Sequence, residues 1–198
     1  IVGKYGPQVQ AVLKKAETLD IQMLLPLHGF VWREELGYLL GKYDLWSRYE
    51  PEVQGVMIAY ASVYGGTENA ANVLACRLAE QGVQVKMFDV SVTPAPYVVS
   101  DAFKYSHLVF ASATYNMGIF VTMEDLLHDI AAHALADRRY ALIENGTWSP
   151  ASGKKMDALL SPLKGWSAVE PVLTVKSALR PDQEAQMQRL ADAIAADV

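Results

Sequence analysis

The sequence predicts an α/β fold: a doubly wound, five-stranded parallel sheet over residues 54–198, preceded by an incomplete α/β segment over residues 1–50. Three observations carry this prediction. After Gln54, apolar runs of strand length alternate with amphipathic runs of helix length, the pattern of a parallel sheet covered on both faces. Five such strands and five such helices follow one another, the order of a parallel sheet built from crossover connections. The first of them, Val56-Met57-Ile58-Ala59-Tyr60, ends abruptly in a turn rich in hydroxyls and glycine, and a helix follows at once.

In the first fifty residues, Pro7–Leu19 reads as a helix, with Val9, Val12, Leu13 and Ala16 at helical spacing. Ile21–Leu25 reads as a buried strand and residues 26–30 as a turn. Trp32–Tyr49 reads as a helix with an apolar stripe of Leu36, Leu39, Leu40, Tyr43 and Trp46. One strand between two helices cannot bury both faces of a sheet. Its partners are therefore expected upstream of Ile1; the chain has no initiator Met and reads as a piece of a longer protein. Arg48-Tyr49-Glu50-Pro51-Glu52 is polar and broken by proline, which places the domain boundary there.

Strands are then expected at Val56–Ala61, Val83–Val90, His107–Ala113, Tyr140–Glu144 and Ala168–Val175. Helices are expected at Thr67–Gln81, near Val98–Tyr105 after the breaks at Pro94 and Pro96, at Phe120–Ala136, at Ser152–Leu163, and from Pro181 to about residue 196. Gly82 closes the first of these helices.

Composition narrows the function classes. The chain has 198 residues, 52% of them hydrophobic and 20% charged, with a net charge of −5. That charge argues against nucleic acid as a partner. A single cysteine, Cys76, excludes an intrachain disulfide and an all-cysteine metal cluster, and fits a reducing, cytoplasmic setting. No apolar run reaches the ~20 residues of a membrane span, and no signal peptide is visible.

In parallel sheets ligands bind beyond the carboxyl ends of the strands, so three strand-exit loops carry the functional reading. The first holds Ser62, Val63, Tyr64, Gly65, Gly66 and Thr67, with no Lys or Arg. It suits a phosphate held by backbone amides, the hydroxyls of Ser62, Tyr64 and Thr67, and the dipole of the following helix. The second holds Ala113, Thr114, Tyr115, Asn116, Met117 and Gly118; the third holds Asn145, Gly146, Thr147, Trp148 and Ser149. Tyr115, Met117 and Trp148 would flank a flat ring, while Asn116, Gly118, Asn145 and Gly146 offer amide hydrogen bonds and close backbone approach to its edges. The inferred ligand is a planar mononucleotide.

Plainer readings stand beside these. An N-cap at Ser62 or Thr67 accounts for one hydroxyl but not for nine residues of turn chemistry. Met117 serves equally as core filler, and Asn145-Gly146 as an ordinary strand-exit turn. His107, His128 and His133 have no ligand spacing. Cys76 reads as a small buried residue. Glu124, Asp125 and Asp129 read as a solvated helix face.

The loops SVYGGTE, SATYNMG and ENGTWSP resemble the FMN-binding loops of flavodoxins, and more closely those in the flavodoxin-like domain of flavodiiron proteins. Upstream, LPLHGFVWR and KYDLWSRYEPE resemble the end of that family's metallo-β-lactamase-like domain and its junction. The resemblance implies a flavodoxin-like sheet of order 2-1-3-4-5, FMN as cofactor, and a non-haem diiron centre that reduces dioxygen or nitric oxide. It also implies a rubredoxin-like or ferredoxin-like donor protein and a head-to-tail homo-oligomer. By position, Ser62 to Thr67 would hold the phosphate, the second and third loops the ring, and His28 would be an iron ligand. Two departures stand out: Gly66 replaces the usual Asn, and Phe30 the usual Pro after His-Gly. The remaining iron ligands are absent, so this chain alone cannot assemble the iron pair. A stand-alone quinone reductase shares the fold but has no use for residues 25–49. A phosphoryl receiver would need acids where Ser62 and Ser112 stand.

Overall fold

A computed structural model describes residues 3–198. Its centre is β1 (Val53–Ala61), flanked in parallel by β2 (Val85–Asp89) and β3 (Tyr105–Tyr115). β5 (Arg139–Asn145) lies outside β3, and on its far edge come β6 (Ser167–Ala168) and β7 (Leu173–Val175). The order is β2-β1-β3-β5-β6, with β7 continuing along β5 and a short β4 (Gly118–Ile119) folded back antiparallel on β3. Five strands were expected, and seven form among the described residues. The expected strand Ala168–Val175 breaks at Glu170-Pro171, where proline has no N–H for the ladder. β4 arises from a two-residue hairpin inside the second loop.

The continuous apolar strands feed two cores. Met57, Ala59, Leu108, Phe110 and Leu142 face α4 (Ala95–Lys104), α5 (Val121–Ala132) and α6 (Ser152–Leu160). Val56, Ile58, Val109, Ala141 and Ile143 face α3 (Gly66–Glu80) and α7 (Glu184–Asp197). Each helix buries residues at helical spacing: Ala70, Leu74 and Leu78 in α3, and Met187, Leu190, Ala191 and Ile194 in α7. Gly82, at φ 81°, ends α3 as expected, its neighbour Val83 N–H reaching back to the Leu78 carbonyl. Pro96, expected to break the chain, instead sits in the first turn of α4, where its missing N–H costs nothing. Cys76 is exposed, not buried: it lies off the Ala70–Leu74–Leu78 face.

Residues 3–50 are less regular. α1 (Gly6–Ala16) and α2 (Leu36–Ser47) pack on each other. The expected strand Ile21–Leu25 does not form. Among the described residues it finds no sheet neighbour, only an isolated bridge from Leu24 to Trp32, and Leu25 is left exposed. That bridge also shortens the helix expected from Trp32, which starts at Leu36 after Glu35 in a left-handed conformation. Residues 48–52 then hand the chain to β1.

Buried Arg138 joins the two parts. Its guanidinium donates to the carbonyls of Ala102 and Phe103 in the last turn of α4, to Ala136 and Asp137, and to Tyr49 at 2.6 Å. Burial lowers its pKa to about 10, with Asp137 pulling the other way, so it is charged at neutral pH.

Candidate functional site

β1, β3 and β5 end at the same edge of the sheet, and the three loops that leave them touch. In the first, Ser62 Oγ accepts from the Gly65 N–H at 3.1 Å, closing a tight turn. Gly65 at φ 83° then leads into α3, whose first residue is Gly66. A side chain at Gly65 would meet nothing within 4 Å, so the start of the helix opens on free space. Thr67 is buried at 2% exposure, whereas Tyr64 is 98% exposed. Tyr60, at the strand end, has its pKa raised, by burial first and then by Glu68 and Asp89. The flank of this loop is acidic, and an anion here depends on neutral donors.

The second loop is the β3–β4 hairpin. Asn116 and Met117 occupy its two central positions with φ 47° and 59°, the geometry that favours Asn-Gly. A methionine there is strained. Tyr115 and Met117 are half-exposed, with Tyr115 edge-on to Phe120. Thr114 was expected to reach a ligand ring. Its hydroxyl is instead committed to the third loop: it accepts from Ala151 N–H at 3.1 Å and donates to Ser152 Oγ at 3.2 Å. Ser152 Oγ continues to the Ser112 carbonyl at 3.0 Å.

The third loop leaves β5 through Glu144, whose buried carboxylate accepts from the Gly153 N–H and the Thr174 hydroxyl. Gly146 lies where a Cβ would crowd Pro150 and the Thr114 hydroxyl. Thr147, Trp148 and Ser149 project outward, Trp148 with 95% of its surface exposed. Asn145 was expected to offer its amide to a ligand. It is buried, and both ends of its amide bond the backbone of Ser177. Thr114 and Asn145 thus build walls, while Tyr64, Tyr115, Met117 and Trp148 are the surfaces left open to a ligand.

His28 lies far along the chain from these loops, exposed beside Gly29. Among the described residues no group of three or more His, Cys, Asp or Glu side chains is placed to hold a metal. His107 is structural: it is buried, with Nδ1 on Ser106 Oγ and Nε2 on Asp197. Among the described residues, no helix is long and apolar enough to cross a membrane.

Two residues that shape the site escaped sequence reading. Ser177 lies in an unremarkable Lys-Ser-Ala stretch, and Ser152 is a helix-start serine whose partner is 38 positions away.

A doubly wound parallel sheet with three loops meeting at its carboxyl edge is the architecture of α/β proteins whose ligand sites lie at that edge. The Flavodoxin family profile matches residues 58–189, and the chain belongs to that family. A nitric oxide reductase of Moorella thermoacetica is 26% identical over 180 residues, which are 91% of this chain and 45% of that protein. The rubredoxin oxygen:oxidoreductase of Desulfovibrio gigas superposes on all of this chain with a TM-score of 0.90 at 22% identity, over half its own length. The flavodiiron protein of Giardia intestinalis gives a TM-score of 0.90 at 21% identity over 99% of this chain, again half of its own. The chain spans less than half the length of the curated relatives it matches.

Proposed function

We propose that this chain is the FMN-binding electron-transfer module of a flavodiiron oxygen or nitric oxide reductase. The observation that carries the reading is the meeting of three strand-exit loops, none of which holds a Lys or Arg, at one edge of the sheet in a chain of the flavodoxin family. The residues fit FMN. Gly65 leaves the approach to the start of α3 bare of a side chain, as close approach of a phosphate to backbone amides requires. Tyr64, Tyr115, Met117 and Trp148, one or more on each loop, leave apolar surface exposed for a flat ring. In this reading Ser62 to Thr67 hold the phosphate. Tyr115 to Gly118 and Gly146 to Ser149 border the ring, with Ala113, Thr114 and Asn145 shaping the loops behind them. FMN, when bound, supplies one- and two-electron redox chemistry.

The module then carries electrons from a rubredoxin-like or ferredoxin-like donor protein to a non-haem diiron centre. His28 supplies one imidazole ligand, a donor type suited to iron, and the rest of the protein supplies the others. A head-to-tail homo-oligomer would bring one subunit's flavin to its partner's iron, in the cytoplasm. The match of residues 3–50 to flavodiiron structures favours this over a stand-alone quinone reductase or carrier flavodoxin. The test is a visible spectrum of the purified chain, with mass analysis of the released cofactor and titration with FMN. Stoichiometric FMN is expected; a colourless chain that takes up none refutes the reading.

A further inference from the structure

Beyond β7 the chain turns directly over the start of α3. Ser177 has φ 71°, and across it the Ala178 N–H donates to the Lys176 carbonyl at 3.0 Å. A three-residue turn with positive φ at its centre is rare and strained, and such strain persists only where the surroundings hold it. Asn145 does the holding. Its Oδ1 accepts from the Ser177 N–H at 2.9 Å and its Nδ2 donates to the Ser177 carbonyl at 3.0 Å. Asn145 is itself 8% exposed, and the next residue, Gly146, ties its N–H to the Val175 carbonyl at 3.1 Å.

The held carbonyl bears on Gly66. A Cβ at position 66 would stand 1.9 Å from the Ser177 oxygen and 3.1 Å from Asn145 Nδ2. Position 66 is therefore glycine because the Ser177 turn occupies the space of a side chain. The first residue of α3 is backed by a rigid peptide, and that peptide is fixed from the third loop.

We infer that the Asn145–Ser177 clip is the positioning element of the phosphate loop, with Asn145 acting through Ser177 on the α3 start rather than on the ring. The inference rests on the FMN reading above, and it makes Asn145 selective for the phosphate-bearing form of the flavin. Riboflavin has the same ring and no phosphate, so it separates the two roles.

The experiment is fluorescence titration of the parent chain and of Asn145→Ala with FMN and with riboflavin, alongside thermal melts. With two neutral hydrogen bonds lost, FMN is expected to bind about tenfold more weakly while riboflavin changes by less than about twofold. Ser177→Gly keeps both backbone bonds and tolerates positive φ, so it is expected to retain FMN affinity within about twofold. Gly66→Ala is expected to cost more FMN affinity in the parent than in Asn145→Ala, where the turn is free to yield. Equal loss of both flavins in Asn145→Ala, or full additivity of the two substitutions, overturns the inference while leaving the FMN reading intact. A parent that takes up neither flavin overturns both. Should Asn145→Ala fail to fold, Asn145→Asp, which retains the acceptor for the Ser177 N–H, carries the same comparison.

Discussion

Replacing Arg138 with methionine tests how the first fifty residues are joined to the sheet. The side chain is 1% exposed and has five hydrogen bonds, all to main-chain carbonyls. Two of those carbonyls, Ala102 and Phe103, belong to the last turn of α4, where no intrahelical donor is left for them. The negative end of the α4 dipole thus stands in for a carboxylate. At about 1 kcal/mol net per hydrogen bond the set is worth about 5 kcal/mol. Methionine fills much of the volume and relieves the several kcal/mol cost of a buried charge, but it strands the carbonyls, each at a cost of about 1–3 kcal/mol. The carbonyls outweigh the relief, and we expect Arg138→Met to lose about 3 kcal/mol, a large share of the 5–15 kcal/mol typical of a domain. Urea denaturation followed by circular dichroism measures it. Because one bond goes to Tyr49, limited proteolysis should also cut sooner within residues 48–52. A variant within about 1 kcal/mol of the parent, with unchanged proteolysis, would mean that Arg138 is no fastener.

Met117→Gly removes a side chain from a left-handed hairpin position; it should stabilise the fold by about 1 kcal/mol, seen as a Tm higher by about 3 °C, while weakening FMN binding in titration. Trp148→Ala, at an exposed position, should leave the melt unchanged and raise the Kd for FMN about fivefold, equivalent to about 1 kcal/mol of ring stacking, and riboflavin should suffer equally. Burial lowers the His107 pKa below its ordinary 6.5, outweighing the pull of Asp197, while nearby Arg139 adds to the lowering. The unfolded chain therefore binds this proton first, so the stability is present above pH 6.5 and lost as pH falls through the folded pKa. Denaturation midpoints from about pH 8 to about pH 5 should fall for the parent and flatten for His107→Gln; parallel curves would assign the acid sensitivity elsewhere.

The sheet was legible because its signals are local and repeated: the central strands β1, β3 and β5 carry apolar runs, and each helix stripe recurs at three and four residues. The loops were legible for the same reason, since a glycine after a hydroxyl-rich strand exit is a turn whatever surrounds it. What stayed hidden depends on partners distant in sequence. Asn145 and Thr114 have the donors of ligand-binding residues, yet Ser177 and Ser152, 32 and 38 positions away, claim them. Arg138 sits in Asp-Arg-Arg, which reads as solvated charge until the α4 carbonyls close over it. Ile21–Leu25 has the apolar content of a strand, but a strand exists only by pairing, and pattern alone cannot supply the neighbour. Gly66 belongs to both classes. Its presence was plain in the sequence as a departure from the usual asparagine, while its cause, a carbonyl held over it from the far side of the sheet edge, lay more than a hundred residues on. A local irregularity in a strand-exit loop is thus the visible end of a long-range contact, and the coupling of Gly66→Ala to Asn145→Ala measures that contact directly.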